Sequence, residues 1–172
     1  MESSEERVVS VEAAAAFARE VRRGGGRVAL ANGCFDLLHA GHVAFLEQAR
    51  AAADALIVGV NSDGSVRRLK GPERPVVAHQ DRARVVAALR AVDRVVVFEE
   101  ETAAALIEAI RPDLYVKGSD YSLERLPERE AAQRVGARIV LVPLLPGRST
   151  TGLLGRLKAH QGLQAREEGG RH

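Results

Sequence analysis

The chain has 172 residues, 46% of them apolar, and a formal net charge of +2, so it is long enough to bury one core and globally too balanced to read as a nucleic-acid binder. Aromatics make up 3%, which also argues against base stacking, and the single cysteine excludes an internal disulfide framework. MESSEERVVS lacks the basic and apolar regions of a leader and no apolar run nears the ~20 residues of a membrane span, so a soluble, cytoplasmic protein is expected, with neither nucleic acid nor membrane as partner.

Ser10 is placed to cap a helix over Val11–Arg23, which Gly24-Gly25-Gly26 ends. That glycine cluster precedes a strand, whereas a dinucleotide fingerprint follows one, so it is punctuation; no Walker A pattern exists. Val28–Ala31 is a short apolar strand. It runs through Asn32-Gly33-Cys34-Phe35-Asp36 and His39-Ala40-Gly41-His42 into a helix with apolar Val43, Leu46 and Ala49. Ala55–Val60 is a second buried strand ending in Asn61-Ser62-Asp63-Gly64, and Ser65–Leu69 a short helical turn. Lys70–Pro75 is a loop by its glycine and prolines. A helix is predicted over Gln80–Val92, a strand over Arg94–Phe98, and a helix from Thr102 that stops before Pro112. Leu114–Lys117 is the fourth strand, Pro127–Val135 helical, Arg138–Val142 the fifth strand, and a last helix follows Arg148-Ser149-Thr150-Thr151 to about His160. A nucleotide-binding-size domain over 1–160 and a disordered polar tail over 161–172 are expected.

Apolar strands alternating with helices imply an α/β fold: a Rossmann-like, doubly wound, five-stranded parallel sheet with helices on both faces. Ligands bind such sheets beyond the strands' carboxyl ends, near the switch point. The polar clusters Asn32–His42, Asn61–Asp63, Lys117–Tyr121 and Arg148–Thr151 all follow strands and should converge there.

Within that edge, His39 and His42 fall where a helix begins, where unpaired N–H groups and the macrodipole attract phosphate. Gly41 between them leaves room for close approach. Zinc held by His39, His42, Cys34 and Asp36 is the competing reading, weakened by the lack of a second ligand cluster. Cys34 could be a nucleophile, but nothing resembles a nucleophile elbow, and a small residue lending its amide to a phosphate is preferred. Lys70 and Arg74 are either solvated or part of a mobile loop that follows phosphates. Arg148–Thr151 is a helix cap or a second anion-binding helix end, and the arginine favours the latter. Asp81, Arg82, Arg84 and Arg90 fit a solvated helix face.

With NGCFDLLHAGH, LKGPERPV, VKGSDY and RSTT in this order, the chain over about Arg27–Lys158 resembles the HxGH nucleotidyltransferases, in their cytidylyltransferase-like branch. Within it, LKGPxRPV and VKGxDY resemble the heptose 1-phosphate adenylyltransferases. Leu144-Leu145-Pro146 departs from the arginine that glycerol-3-phosphate cytidylyltransferases carry there. The resemblance implies transfer of AMP from ATP, with Mg²⁺, to a sugar 1-phosphate, with His39, His42 and Lys70 catalytic. It places the nucleotide at Asn32, Gly33, Cys34, Phe35, Gly41, Lys117, Gly118, Asp120, Arg148, Ser149, Thr150 and Thr151, and the sugar phosphate at Asp36, Asn61 and Arg82. It also implies a separate upstream sugar kinase and a homodimer. A cytidylyltransferase for an alditol or amino-alcohol phosphate and a non-catalytic nucleotide-binding regulator are the alternatives.

Overall fold

The computed structural model describes residues 2–157 and residue 159. Five parallel strands, β1 (Val28–Gly33), β2 (Ala55–Asn61), β3 (Arg94–Phe98), β4 (Leu114–Gly118) and β5 (Arg138–Val142), form one sheet in the order β3-β2-β1-β4-β5. The chain leaves β1 toward β2 and β3, then returns to place β4 on the other side of β1. The switch point therefore lies between the carboxyl ends of β1 and β4, where a ligand crevice opens in such sheets. Val28–Gly33 pair with Ala55–Val60 residue for residue, and Ala29–Ala31 with Leu114–Val116.

Both sheet faces are buried, which is why the strands are apolar throughout rather than alternating. One layer holds α2 (Ala40–Ala51) and α4 (His79–Ala87), with Leu46, Val58, Val86 and Val116 in its core. The other holds α1 (Val11–Arg23), α5 (Ala104–Ile110) and α6 (Arg129–Val135), around Leu30, Ile57, Ile107 and Tyr115. The doubly wound parallel sheet is thus as expected. Among the described residues no helix is long and apolar enough to cross a membrane.

Boundaries moved where tertiary contacts replaced local signals. Ser10 caps α1 through the Ala13 amide, as its sequence position implies. The turn expected over Ser65–Leu69 is a two-turn helix, α3 (Asp63–Lys70), because Ser62 accepts from the Ser65 amide and starts it earlier. The helix expected over Gln80–Val92 ends at Ala87. Thr102 does not start α5; the Ala103 amide is instead capped by Glu128 Oε1 at 3.1 Å, from the residue that precedes α6. Residues 7–9, unassigned from sequence, lie along β3, with the Val9 amide donating to Val95 O and the Val95 amide to Arg7 O, so this sheet edge is partly covered. Residues 150–157 form the last helix; its expected end at His160 and the tail Gln161–His172 lie outside the described residues.

Candidate active site

The strand-end clusters converge, although of Asn61–Asp63 only Asn61 reaches the cleft. A cleft of about 740 Å³ opens over the switch point, and the segments Asn32–Asp36, His39–His42, Lys117–Tyr121 and Arg148–Thr151 all contribute to its walls. Asn61, Lys70 and Arg74 line it from the β2 side.

The two histidines organise the entry to α2 differently from a bare helix end. His39 is the N-cap residue, and its Nδ1 accepts from the Gly41 amide at 3.1 Å. His42 Nδ1 accepts from the His39 amide at 3.3 Å, completing a reciprocal capping box. The first-turn amide expected to meet phosphate at Gly41 is therefore already used. Because both Nδ1 atoms accept, both neutral rings carry their proton on Nε2. The site is thus a pair of oriented imidazole donors. The rings stack at 3.8 Å, and Phe35 meets His42 edge-on at 5.4 Å.

Burial, joined by the neighbouring His39 and opposed by Asp36, pushes His42 down to about 4. Burial and the Arg148 charge lower His39 as well. Neutral donors rather than imidazolium ions are what this pocket holds at pH 7. Gly41 is required by the protein itself: a Cβ there would come within 2.9 Å of the His39 ring and 3.0 Å of Arg148 Cβ. The loop between β1 and α2 is strained, with Phe35 at φ 48° and Leu37 at φ 53°, which non-glycine residues adopt only when neighbours hold them there.

Asp36 provides much of that hold. It is 1% exposed, and its carboxylate accepts from Arg74 Nε at 2.8 Å, the Val76 amide at 2.9 Å and the Val77 amide at 3.0 Å. Burial works to raise its pKa, but these donors outweigh it and hold the carboxyl below the usual range. Both oxygens are therefore engaged in fastening the Lys70–Pro75 loop to the HxGH segment. Thr150 Oγ1 donates to the Asp36 carbonyl at 2.8 Å, so the last helix is tied to the same residue.

Arg82 corrects the expectation of a solvated helix face. It is 2% exposed, donates to the carbonyls of Val77 and Cys34 and to Asp63 Oδ1, and is not among the residues lining the cleft. Its guanidinium clamps three segments from behind. Direct contact with the sugar phosphate, as placed by the resemblance, does not fit that position. Asn61 does line the cleft, but its amide donates to Ser65 Oγ at 2.9 Å. Lys70 ends α3 at the cleft, followed by Gly71 at φ 99°, and makes no hydrogen bond or ion pair with the described residues.

On the β4 side, Lys117 is buried, its Nζ 4.7 Å above the Tyr121 ring and 5.8 Å from the Tyr115 ring. Burial pushes its ammonium down, while Glu128 and Asp120 oppose the shift. A Cβ on Gly118 would come within 2.6 Å of Asp120 Oδ1, so Gly118 and Asp120 form a tight turn at the cleft. Ser149 is a helix cap after all, accepting from the Gly152 amide at 3.1 Å, while the adjacent Arg148 stands beside His39. Burial raises the Cys34 thiol, against the pull of Lys70, Arg82 and Arg74, which disfavours a thiolate nucleophile. Among the described residues no three His, Cys, Asp or Glu side chains come together in a group that could hold a metal ion.

One contributor escaped sequence reasoning, and one placed at the ligand edge has another role. Glu128 reaches the cleft from the start of α6; Asp63, expected at the cleft, instead stands behind it, 2.8 Å from Arg82 and 3.2 Å from His79. Glu128 carries no local signal, since it acts on Ala103, far along the chain.

A family model described as Cytidylyltransferase-like matches residues 30–146, which span the sheet and nearly all of this cleft. The chain belongs to that family. It is accordingly a nucleotidyltransferase domain. The bifunctional protein HldE of Mesorhizobium japonicum is 51% identical over 152 residues, 88% of this chain and 31% of that protein. The one from Magnetococcus marinus is 53% identical over 137 residues, 80% of this chain and 28% of its own length. The chain therefore spans less than a third of these curated relatives. Among solved structures, a lipopolysaccharide core biosynthesis protein from Thermoplasma volcanium is similar with TM-score 0.57 and 27% identity, over 70% of this chain and 98% of that one. A pantoate-beta-alanine ligase from Francisella tularensis, in complex with beta-gamma ATP and beta-alanine, shares the fold alone: TM-score 0.55, 13% identity, 83% of this chain and 69% of that one.

Proposed function

We propose that the chain is an adenylyltransferase that transfers AMP from ATP to D-glycero-D-manno-heptose 1-phosphate, giving ADP-heptose and pyrophosphate. The observation that carries the transfer chemistry is the capping box that makes His39 and His42 neutral Nε2–H donors at one end of the cleft. The resemblance of LKGPERPV and VKGSDY, and half-identity to bifunctional HldE proteins over most of the chain, support the choice of nucleotide and acceptor.

In this reading a phosphate oxygen of the sugar phosphate attacks the α-phosphorus of ATP. A new P–O–P link forms, the bond from the α-phosphorus to the bridging oxygen breaks, and pyrophosphate leaves with its electrons. A phosphate with second pKa near ~6 is already largely ionised at neutral pH, so no general base is needed. What remains is alignment and neutralisation of charge on the α- and β-phosphates. Mg²⁺ enters with ATP as part of the substrate and prefers phosphate oxygens and water to a protein cage. The protein's positive charge for this comes from Lys70, Lys117 and Arg148, with His39 and His42 adding neutral hydrogen-bond donors. We place the reaction in the cytoplasm, where ATP is made available, and downstream of a kinase reaction that forms the sugar phosphate.

The test is pyrophosphate release from ATP or CTP paired with heptose 1-phosphate or glycerol 3-phosphate. ATP with heptose 1-phosphate is expected to give the highest kcat/KM. A win for CTP with glycerol 3-phosphate overturns the assignment, and ATP binding without turnover by any pair would make the chain a nucleotide-binding regulator.

A further inference from the structure

Asn61 ends β2 and is 3% exposed, yet one end of its amide has no partner. Its Nδ2 donates to Ser65 Oγ at 2.9 Å and approaches the Glu100 carbonyl at 3.4 Å. Ser65 is wholly buried and gives its own proton to that same carbonyl at 2.8 Å. A hydroxyl has one proton, so Ser65 Oγ is left to accept from Asn61. Two acceptors therefore face one end of the Asn61 amide, and that end must be the nitrogen; the network fixes the orientation that shape alone leaves open. The carbonyl oxygen is the other end. It accepts nothing from the described residues and is not shut off from solvent, so it opens into the cleft that Asn61 lines.

A carbonyl held in this way selects what can meet it. It takes a hydrogen-bond donor and repels the oxygens of a phosphate. The wall around it agrees. Asn61 follows Ile57 by four residues on β2, so both point to the layer of α5 and α6. Asn61 pairs with Phe98, and the chain leaving Phe98 brings Glu101 and Thr102 to the cleft, next to Glu128, which caps Ala103. None of these side chains carries positive charge, and the Thr102 hydroxyl makes no hydrogen bond with the described residues. In the sheet order, β2 and β3 lie across β1 from β4 and β5. When the nucleotide lies against Lys117–Asp120 and Arg148–Thr151, which follow β4 and β5, the end walled by Asn61 and Thr102 is the one left for the second substrate.

Building on the adenylyltransferase reading, we propose that Asn61 forms a hydroxyl subsite for the acceptor: its carbonyl receives a hydroxyl of the heptose, the sugar lies toward β2 and β3 with its phosphate turned to the histidines, and Ser65 is the positioning residue that aims the carbonyl. The acceptor is thereby held by its sugar as well as by its phosphate, which aligns the attacking oxygen.

The test is steady-state kinetics of the full chain with heptose 1-phosphate and with analogues that each lack one hydroxyl, beside calorimetric binding of ATP alone. Wild type should lose ~10-fold in kcat/KM with one of the analogues. Asn61→Ala should lose the same factor with the parent sugar and nothing further with that analogue, while its ATP binding holds. Ser65→Ala keeps Asn61 but removes the acceptor that orients it, so the same discrimination should flatten, with KM for the sugar phosphate rising more than kcat falls. Ser65→Cys, a weaker acceptor of nearly the same shape, gives the same readout should Ser65→Ala not fold. A folded Ser65 variant with a lower Tm and full discrimination overturns the positioning role. Discrimination by folded Asn61→Ala equal to wild type, weakened ATP binding in that variant, or a wild type indifferent to every analogue overturns the subsite. Absence of pyrophosphate release by wild type from ATP with heptose 1-phosphate would instead remove the adenylyltransferase reading, and the subsite with it.

Discussion

Asp36→Asn isolates the clamp that joins the loop after α3 to the HxGH segment. The substitution is nearly isosteric, so packing around the residue survives. The carboxylate now accepts three hydrogen bonds, two on Oδ2 and one on Oδ1. An asparagine carbonyl in the Oδ2 position keeps Arg74 Nε and the Val76 amide, but its NH₂ then confronts the Val77 amide, leaving that donor unpaired. Losing the charge assistance to Arg74 and stranding one buried N–H together cost ~2–4 kcal/mol. For a chain of this size that lowers Tm by about 5–15 °C. The loop bearing Lys70 is released from its anchor, so KM for ATP should rise ~10-fold or more through lost positioning. The pH dependence gives a second reading. The Asp36 pKa in the folded protein lies below its ordinary 3.8, so the clamp is fully present above 3.8 and is lost as pH falls through the lower, folded value. The stability gap between wild type and Asp36→Asn should therefore be constant near neutrality and narrow below pH 3.8. Thermal melts from pH 7 to pH 3 with parallel ATP titrations measure both effects. Equal Tm and KM at pH 7 would refute the clamp.

Lys70→Ala should depress ATP turnover with Tm unchanged, whereas Arg74→Ala should lower Tm as well, because only Arg74 is bonded into the clamp; melting curves beside steady-state kinetics separate the two. Gly41→Ala should cost most of the activity in a protein that still folds, since its methyl group displaces the His39 ring and Arg148; normal turnover would show that neither needs its present position. Nitrogen-detected NMR of the imidazoles should find His42 neutral with its proton on Nε2 at pH 6, because its pKa is pushed to about 4. An imidazolium at that pH would contradict the capping-box geometry.

Much of this protein is legible along the chain. Strand and helix identity follow from apolar runs broken by glycine, proline and capping residues, signals that act within a few residues. Ser10 ahead of α1 and the polar turn after each strand needed no tertiary information. Because parallel strands must all present their carboxyl ends to one edge, the convergence of Asn32–His42, Asn61, Lys117–Tyr121 and Arg148–Thr151 on one cleft was also implied by their order. The folded state decided the rest, through contacts between residues far apart in sequence. Arg82 reads as one more charge on a helix until Cys34, Val77 and Asp63 close around it. Asp36 reads as a ligand for substrate until Arg74, Val76 and Val77 take both its oxygens. Glu128 has no local signature, since its partner Ala103 belongs to α5's start. A motif records which groups are available; whether a buried charge faces ligand or protein depends on which distant donors desolvation forces upon it, and that is settled only when the layers pack.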